Sequence, residues 1–107
     1  MLTSIDIQKN RKLFSENDEN ITATFKALSD LNRYRIFRIL VQQPKLSVSS
    51  IALILDISLP LASQHIKVLT NANLLQKERR GKQIFPKLEH DNPFVKGIIK
   101  TIHQAID

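Results

Sequence analysis

Apolar positions recur at helical spacing along most of the chain, and one stretch departs from that period. Residues 3–15 predict a first helix, with Ile5, Lys9 and Lys12 mixed around it and too few apolar positions for a full buried face. The acidic, polar run from Glu16 to Asn20 breaks it. Residues 21–28 predict a short amphipathic helix with Ile21, Phe25 and Leu28 at i, i+4 and i+7. Ser29 or Asp30 caps a longer helix over 31–42, whose core candidates are Ile36, Phe37, Ile39 and Leu40. Arg33, Arg35 and Arg38 lie on its outer faces, where a solvated role is favoured over direct contact with a ligand. Pro44 ends this helix, because the residue before a proline is pushed out of the helical region.

The stretch from Ser47 to Leu75 reads as two short helices joined by a tight turn. Ser47 is the first N-cap, and Ile51, Ile54 and Leu55 form an inward stripe. Asp56-Ile57-Ser58 interrupts the pattern; Ser58 is a second N-cap, and Pro60 suits a first turn, where its missing N–H costs nothing. From there Ala62, Ile66 and Leu69 point inward, while Pro60, Ser63, Gln64 and Lys67 point outward. A helix with a small, polar and basic outer face, braced by a shorter one, is the form that enters a DNA major groove. An ordinary helical hairpin with a solvated face is the competing reading of this stretch alone.

After the polar turn Asn71-Ala72-Asn73, residues 75–80 and 83–88 predict a β-hairpin around an Arg-Gly-Lys tip. Pro86 removes a ladder donor and makes the second strand an edge strand. Lys77, Arg79, Arg80 and Lys82 face a single acid, Glu78. Such charge can simply guard an edge against aggregation. Directly after a two-helix motif it reads better as a wing gripping phosphates, with Gln83 beside it. Asp91 or Asn92 caps the last helix, with Pro93 in its first turn. Phe94, Val95, Ile98, Ile99, Ile102 and Ile106 form a stripe too wide for one small core. A homodimer follows as the expectation, with Ile5, Phe94, Ile98, Ile99, Ile102 and Ile106 at its seam.

The fold class expected is therefore mainly α with a small β-hairpin: one winged helix-turn-helix domain over 1–107, paired through its first and last helices. Its parts are an N-terminal helix and polar break (1–20), the helix-turn-helix (47–71), the wing (75–88) and a dimerisation helix (92–106). The net charge of +6 favours a polyanionic partner, with Lys45 and Ser47 as added phosphate contacts. The absence of cysteine excludes disulfides, thiolate metal sites and thiol switches. No run approaches the ~20 apolar residues that span a bilayer, and no secretory pattern opens the chain, so a cytoplasmic protein without a membrane partner is expected. The three histidines have no paired carboxylates, and no glycine-rich phosphate loop or cysteine nucleophile is present, which argues against an enzyme.

With these elements in place the sequence resembles the ArsR/SmtB family of bacterial winged-helix repressors. FKALSDLNRYRIFRIL (25–40), SLPLASQHIKVL (58–69) and NLLQKERRGKQIFPKL (73–88) carry the resemblance, which spans residues 21–106. It implies a homodimeric repressor bound to an inverted-repeat operator in double-stranded DNA and often released by an inducer. By the resemblance, Ser63, Gln64 and His65 fall on the DNA-contacting helix, and Arg79, Arg80 and Lys82 on the wing. His65 also borders the buried face, where it would brace the helix. Leu59 departs from the family pattern, which often has Gln there. The family's cysteine metal site is replaced by Leu46-Ser47-Val48-Ser49-Ser50, and serine is a poor ligand for soft metals. At the family's second, zinc-type site the matching positions are His90, Asn92, His103 and Ile106, two of which can bind metal, with Asp91 and Asp107 as substitutes in a shifted register; no cofactor is expected and zinc is the lesser alternative. A winged-helix module that binds another protein is the runner-up to the DNA-binding reading.

Overall fold

The computed structural model describes residues 1–106, which run α1 (Ser4–Arg11), α2 (Asp18–Leu28), α3 (Leu31–Gln42), α4 (Val48–Leu55), α5 (Leu59–Asn71), β1 (Leu75–Arg80), β2 (Gln83–Leu88) and α6 (Pro93–Ile106). Side-chain caps set the helix starts. Asp30, Ser47 and Ser58 each accept the backbone N–H three residues on, from Arg33, Ser50 and Leu61. Each such cap contributes about 1 kcal/mol. Thr3 and Asp6 form a reciprocal capping box at α1.

The core gathers one stripe from each central element: Ile36, Phe37 and Leu40 of α3, Ile51 of α4, and Ile66 and Leu69 of α5. Leu74 and Leu75 continue it into the hairpin, and Val95 and Ile102 close it from α6. β1 and β2 pair antiparallel, Leu75 opposite Leu88 and Arg80 opposite Gln83, and Gly81 takes φ 62° at the tip. That left-handed backbone is the reason a glycine sits there. Pro86 is fully buried opposite Lys77, in a sheet of two strands that both lie at an edge.

The molecule is elongated, 60 × 30 × 24 Å, with a radius of gyration of 17.3 Å. A closed domain of this size has about 13 Å. At the N-terminal end α1 buries no side chain at all.

Several expectations from the sequence are corrected. The first helix stops at Arg11, not residue 15, and the polar break is shorter, because Asp18, Glu19 and Asn20 enter α2 as an acidic first turn. In α2 the buried residues are Thr24 and Ala27, whereas Phe25 is 69% exposed. A small residue lets α2 lie close against its neighbours, and the Thr24 hydroxyl is satisfied by the Asn20 carbonyl. Ile39 is only half-buried, and the inward stripe of α4 is Val48, Ile51 and Ala52 with Leu55 half-buried; Ile54 is exposed. Arg33 is not a solvated cation: its Nε donates to the Ala27 carbonyl at 2.6 Å and closes the end of α2.

Candidate nucleic-acid interface

The two-helix motif is built by its turn. Between α4 and α5 the chain bends by 111°, within the range of helix-turn-helix units. Asp56 makes the bend in the left-handed region at φ 55°, its N–H directed back to the Leu53 carbonyl. Ser58 then restarts the helix. Its hydroxyl stays solvent-facing while accepting the Leu61 N–H at 3.2 Å.

Along α5, Ala62, Ile66 and Leu69 are buried. Pro60, Ser63, Gln64 and Lys67 are exposed on the opposite side, as the spacing predicts. His65 is half-buried at the border. Its charge contributes to holding the Asp30 carboxyl below the usual carboxylate range, although the Arg33 N–H donated to Asp30 is the larger cause.

The hairpin displays its cations on both faces. Lys77 and Arg79 share a face with Ile84, Pro86 and Leu88, while Arg80 shares the other with Glu78, Phe85 and Lys87. Arg80 is tethered: it pairs with Glu78 at 3.0 Å and its guanidinium lies 5.6 Å from the Phe85 ring centroid. Lys87 pairs with the same carboxylate. Hydrogen bonds from Lys87 and then Arg80 hold the Glu78 carboxyl below its usual range. Lys77, Arg79, Lys82 and Gln83 are exposed, and among the described residues none of these three cations is in an ion pair. Lys45 is exposed in the α3–α4 loop and lines a depression of about 110 Å³ with Arg80, Phe85 and Lys87. The sequence pattern does not single out Lys87; its register opposite Gln76, on the Glu78 face, is what brings it there.

Ser47, expected to touch phosphate, is 7% exposed and its hydroxyl is engaged with Ser50, so it is a buried cap instead. The seam candidates divide. Ile102 is buried within the protomer and Ile98 and Ile99 pack half-buried on its core, whereas Ile5, Phe94 and Ile106 remain exposed. His90 lies exposed before α6, and His103 sits ten residues beyond Pro93 on it, about 15 Å along the axis. Among the described residues, which do not include Asp107, no three His, Asp or Glu side chains converge as a metal site. No single helix is long and apolar enough to cross a membrane.

A helix-turn-helix domain family matches residues 28–78, from the end of α2 into β1. The cadmium resistance transcriptional regulatory protein CadC homolog of Staphylococcus aureus is 30% identical over 96 residues, 88% of this chain and 78% of that protein. Among solved structures, HlyU from Vibrio cholerae N16961 matches with a TM-score of 0.76 at 24% identity, covering 87% of this chain and 98% of that one, a likeness of fold. The transcriptional repressor PagR of Bacillus anthracis matches with a TM-score of 0.66 at 28% identity, covering 78% of this chain and 93% of that one.

Proposed function

The chain belongs to the ArsR/SmtB family of winged-helix transcriptional regulators, and on that premise we propose that it is a homodimeric, cytoplasmic repressor of an inverted-repeat operator in double-stranded DNA. The observation that carries this reading is an exposed polar face on α5 beside wing cations that, among the described residues, are in no ion pair. Ser63, Gln64 and Lys67 on α5 reach the base edges and adjacent phosphates of a major groove. Lys77, Arg79 and Lys82, joined by Gln83, Lys45 and the tethered Arg80, hold the flanking backbone. Those phosphate contacts supply affinity and its salt dependence, while the α5 face supplies choice of sequence.

Dimerisation is supported by the elongated protomer and by the apolar side chains on and flanking α1 and on α6 left in solvent. Leu2, Ile5, Leu13 and Phe14 are each more than 70% exposed, and Phe94 and Ile106 add to them on α6. A solitary 107-residue chain gains little by holding these residues in water. A two-fold copy buries them and sets two α5 helices one DNA turn apart. At the start of α4 the hydroxyls of Ser47 and Ser49 offer soft metals no thiolate, so the proposed repressor does not answer to cadmium or arsenite.

The test is fluorescence anisotropy of the purified protein on its own upstream DNA and on a scrambled duplex, across a salt series, with cadmium, zinc or chelator added. Tighter binding to the native fragment with a steep salt slope is expected, unchanged by cadmium. Equal, weak binding to both duplexes would overturn the repressor reading in favour of a protein-binding module. Release by zinc alone would make His90 and His103 ligands across the dimer.

A further inference from the structure

The first turn of α5 is apolar where a groove-reading helix presents its leading side chains. Leu59, Pro60 and Leu61 follow one another there, and all three are exposed, Leu59 to 50%. Their hydrogen-bonding capacity is small. Pro60 has no N–H, the Leu61 N–H is taken by the Ser58 hydroxyl, and none of the three side chains carries a polar atom. The inward face of the helix is already filled by Ala62, Ile66 and Leu69, so Leu59 is not needed to complete the core. One turn on, Ser63 lies on the same flank as Leu59, and Gln64 follows Pro60 at the same interval.

The major-groove edges of the four base pairs are donors and acceptors with one apolar exception, the C5-methyl of thymine. A leucine placed against a donor or acceptor leaves that group without its water. Against a thymine methyl it buries apolar surface on both sides. We propose that Leu59 is a specificity-determining residue that selects a thymine in each half-site through its C5-methyl group. The proposal rests on the DNA-binding reading above and adds the identity of one base and the means of reading it. Ser63 and Gln64 then supply the hydrogen-bonded part of the same readout, one turn deeper along the helix.

The experiment begins with duplexes that the intact protein itself enriches from a random library. In the best of these, each thymine of a half-site is replaced in turn by deoxyuridine, which removes the methyl and leaves every hydrogen-bonding group in place. One position per half-site is expected to lose affinity about fourfold, the factor for withdrawing one methyl-sized apolar group from water. Leu59→Ala should bind the thymine and uracil duplexes equally, with an unchanged melting temperature because the side chain lies outside the core. Leu59→Gln should lose methyl sensitivity and shift preference toward adenine, which glutamine grips in bidentate fashion. Enrichment of a defined sequence with no methyl-sensitive position, or with one that persists in Leu59→Ala, would overturn the role of Leu59 and leave the repressor reading intact. Failure to enrich any sequence would overturn both.

Discussion

The side-chain amide of Asn92 donates to the backbone carbonyl of Asn73 at 2.9 Å, across 19 positions of sequence. This bond ties the turn that ends α5 to the start of α6. The Asn92 Oδ1 also accepts the Phe94 N–H at 3.0 Å, so one buried amide caps α6 and anchors it to the turn. Asn73 holds the turn in the left-handed region at φ 61°, a conformation asparagine tolerates better than most residues.

Asn92→Ala should therefore lower stability by about 1–3 kcal/mol, the cost of leaving a part-buried carbonyl and a helix start unpartnered. Asn92→Asp separates the two roles. It keeps the cap acceptor but sets a carboxylate against the Asn73 carbonyl, so it should not recover the wild-type stability. Urea unfolding of the three proteins checks this. Equal stability of Asn92→Ala and wild type would mean that the bond between turn and helix contributes nothing.

How much of this is legible in the sequence follows from what each feature depends on. The caps at Asp30, Ser47 and Ser58, the buried stripe Ala62/Ile66/Leu69 and both strands are readable because local chemistry alone fixes them. Phe25 and Ile54 fit an inward helical period, yet they stand in solvent. Which of two possible apolar stripes faces inward is settled by the neighbouring helix, and periodicity does not contain that neighbour. Asn92 to Asn73, Arg33 to Ala27 and the double pairing of Glu78 are likewise tertiary. Of these only the Glu78 pairings carry a hint, a lone acid among cations in a hairpin.

That lone acid leads to a prediction about the wing. Glu78 ties up Arg80 and Lys87, while among the described residues Arg79 and Lys82 are in no ion pair. Arg79→Ala or Lys82→Ala should weaken binding to every DNA sequence about equally and reduce the log-log salt slope by about one for each phosphate no longer neutralised. Glu78→Gln should act in the opposite direction, tightening low-salt binding and steepening the slope, because two cations are released toward the phosphates. Anisotropy titrations from low to moderate salt distinguish the variants. A weaker Glu78→Gln would mean that the ion pairs position the wing and do not restrain it.

The turn of the motif offers a stabilising substitution. Asp56 adopts φ 55° at the C-terminal end of α4, where its charge also opposes the negative end of the helix dipole. Asp56→Gly removes both penalties and should raise stability by about 1 kcal/mol, a few degrees in melting temperature for a domain of this size. Thermal denaturation followed by circular dichroism measures it. A lower melting temperature would mean that the Asp56 side chain makes a contact worth more than the strain it imposes.

The Asp30 carboxyl is held below its usual value near 3.8, first by the Arg33 N–H and then by the charges of His65 and Arg33, against an opposing effect of burial that is smaller than the first. In the unfolded chain the same group returns to the ordinary range, so just below that range the unfolded state binds the extra proton. The stability it contributes is accordingly complete above the unfolded value and is lost as pH falls through the lower, folded value. Wild type should lose stability more steeply than Asp30→Asn on descending from about pH 5, and the difference between them should close at the acid end. His65→Gln should move the Asp30 titration back toward 3.8, with the carboxyl carbon shift in NMR as the readout. An unmoved titration would separate His65 from the start of α3 and leave that imidazole to the DNA.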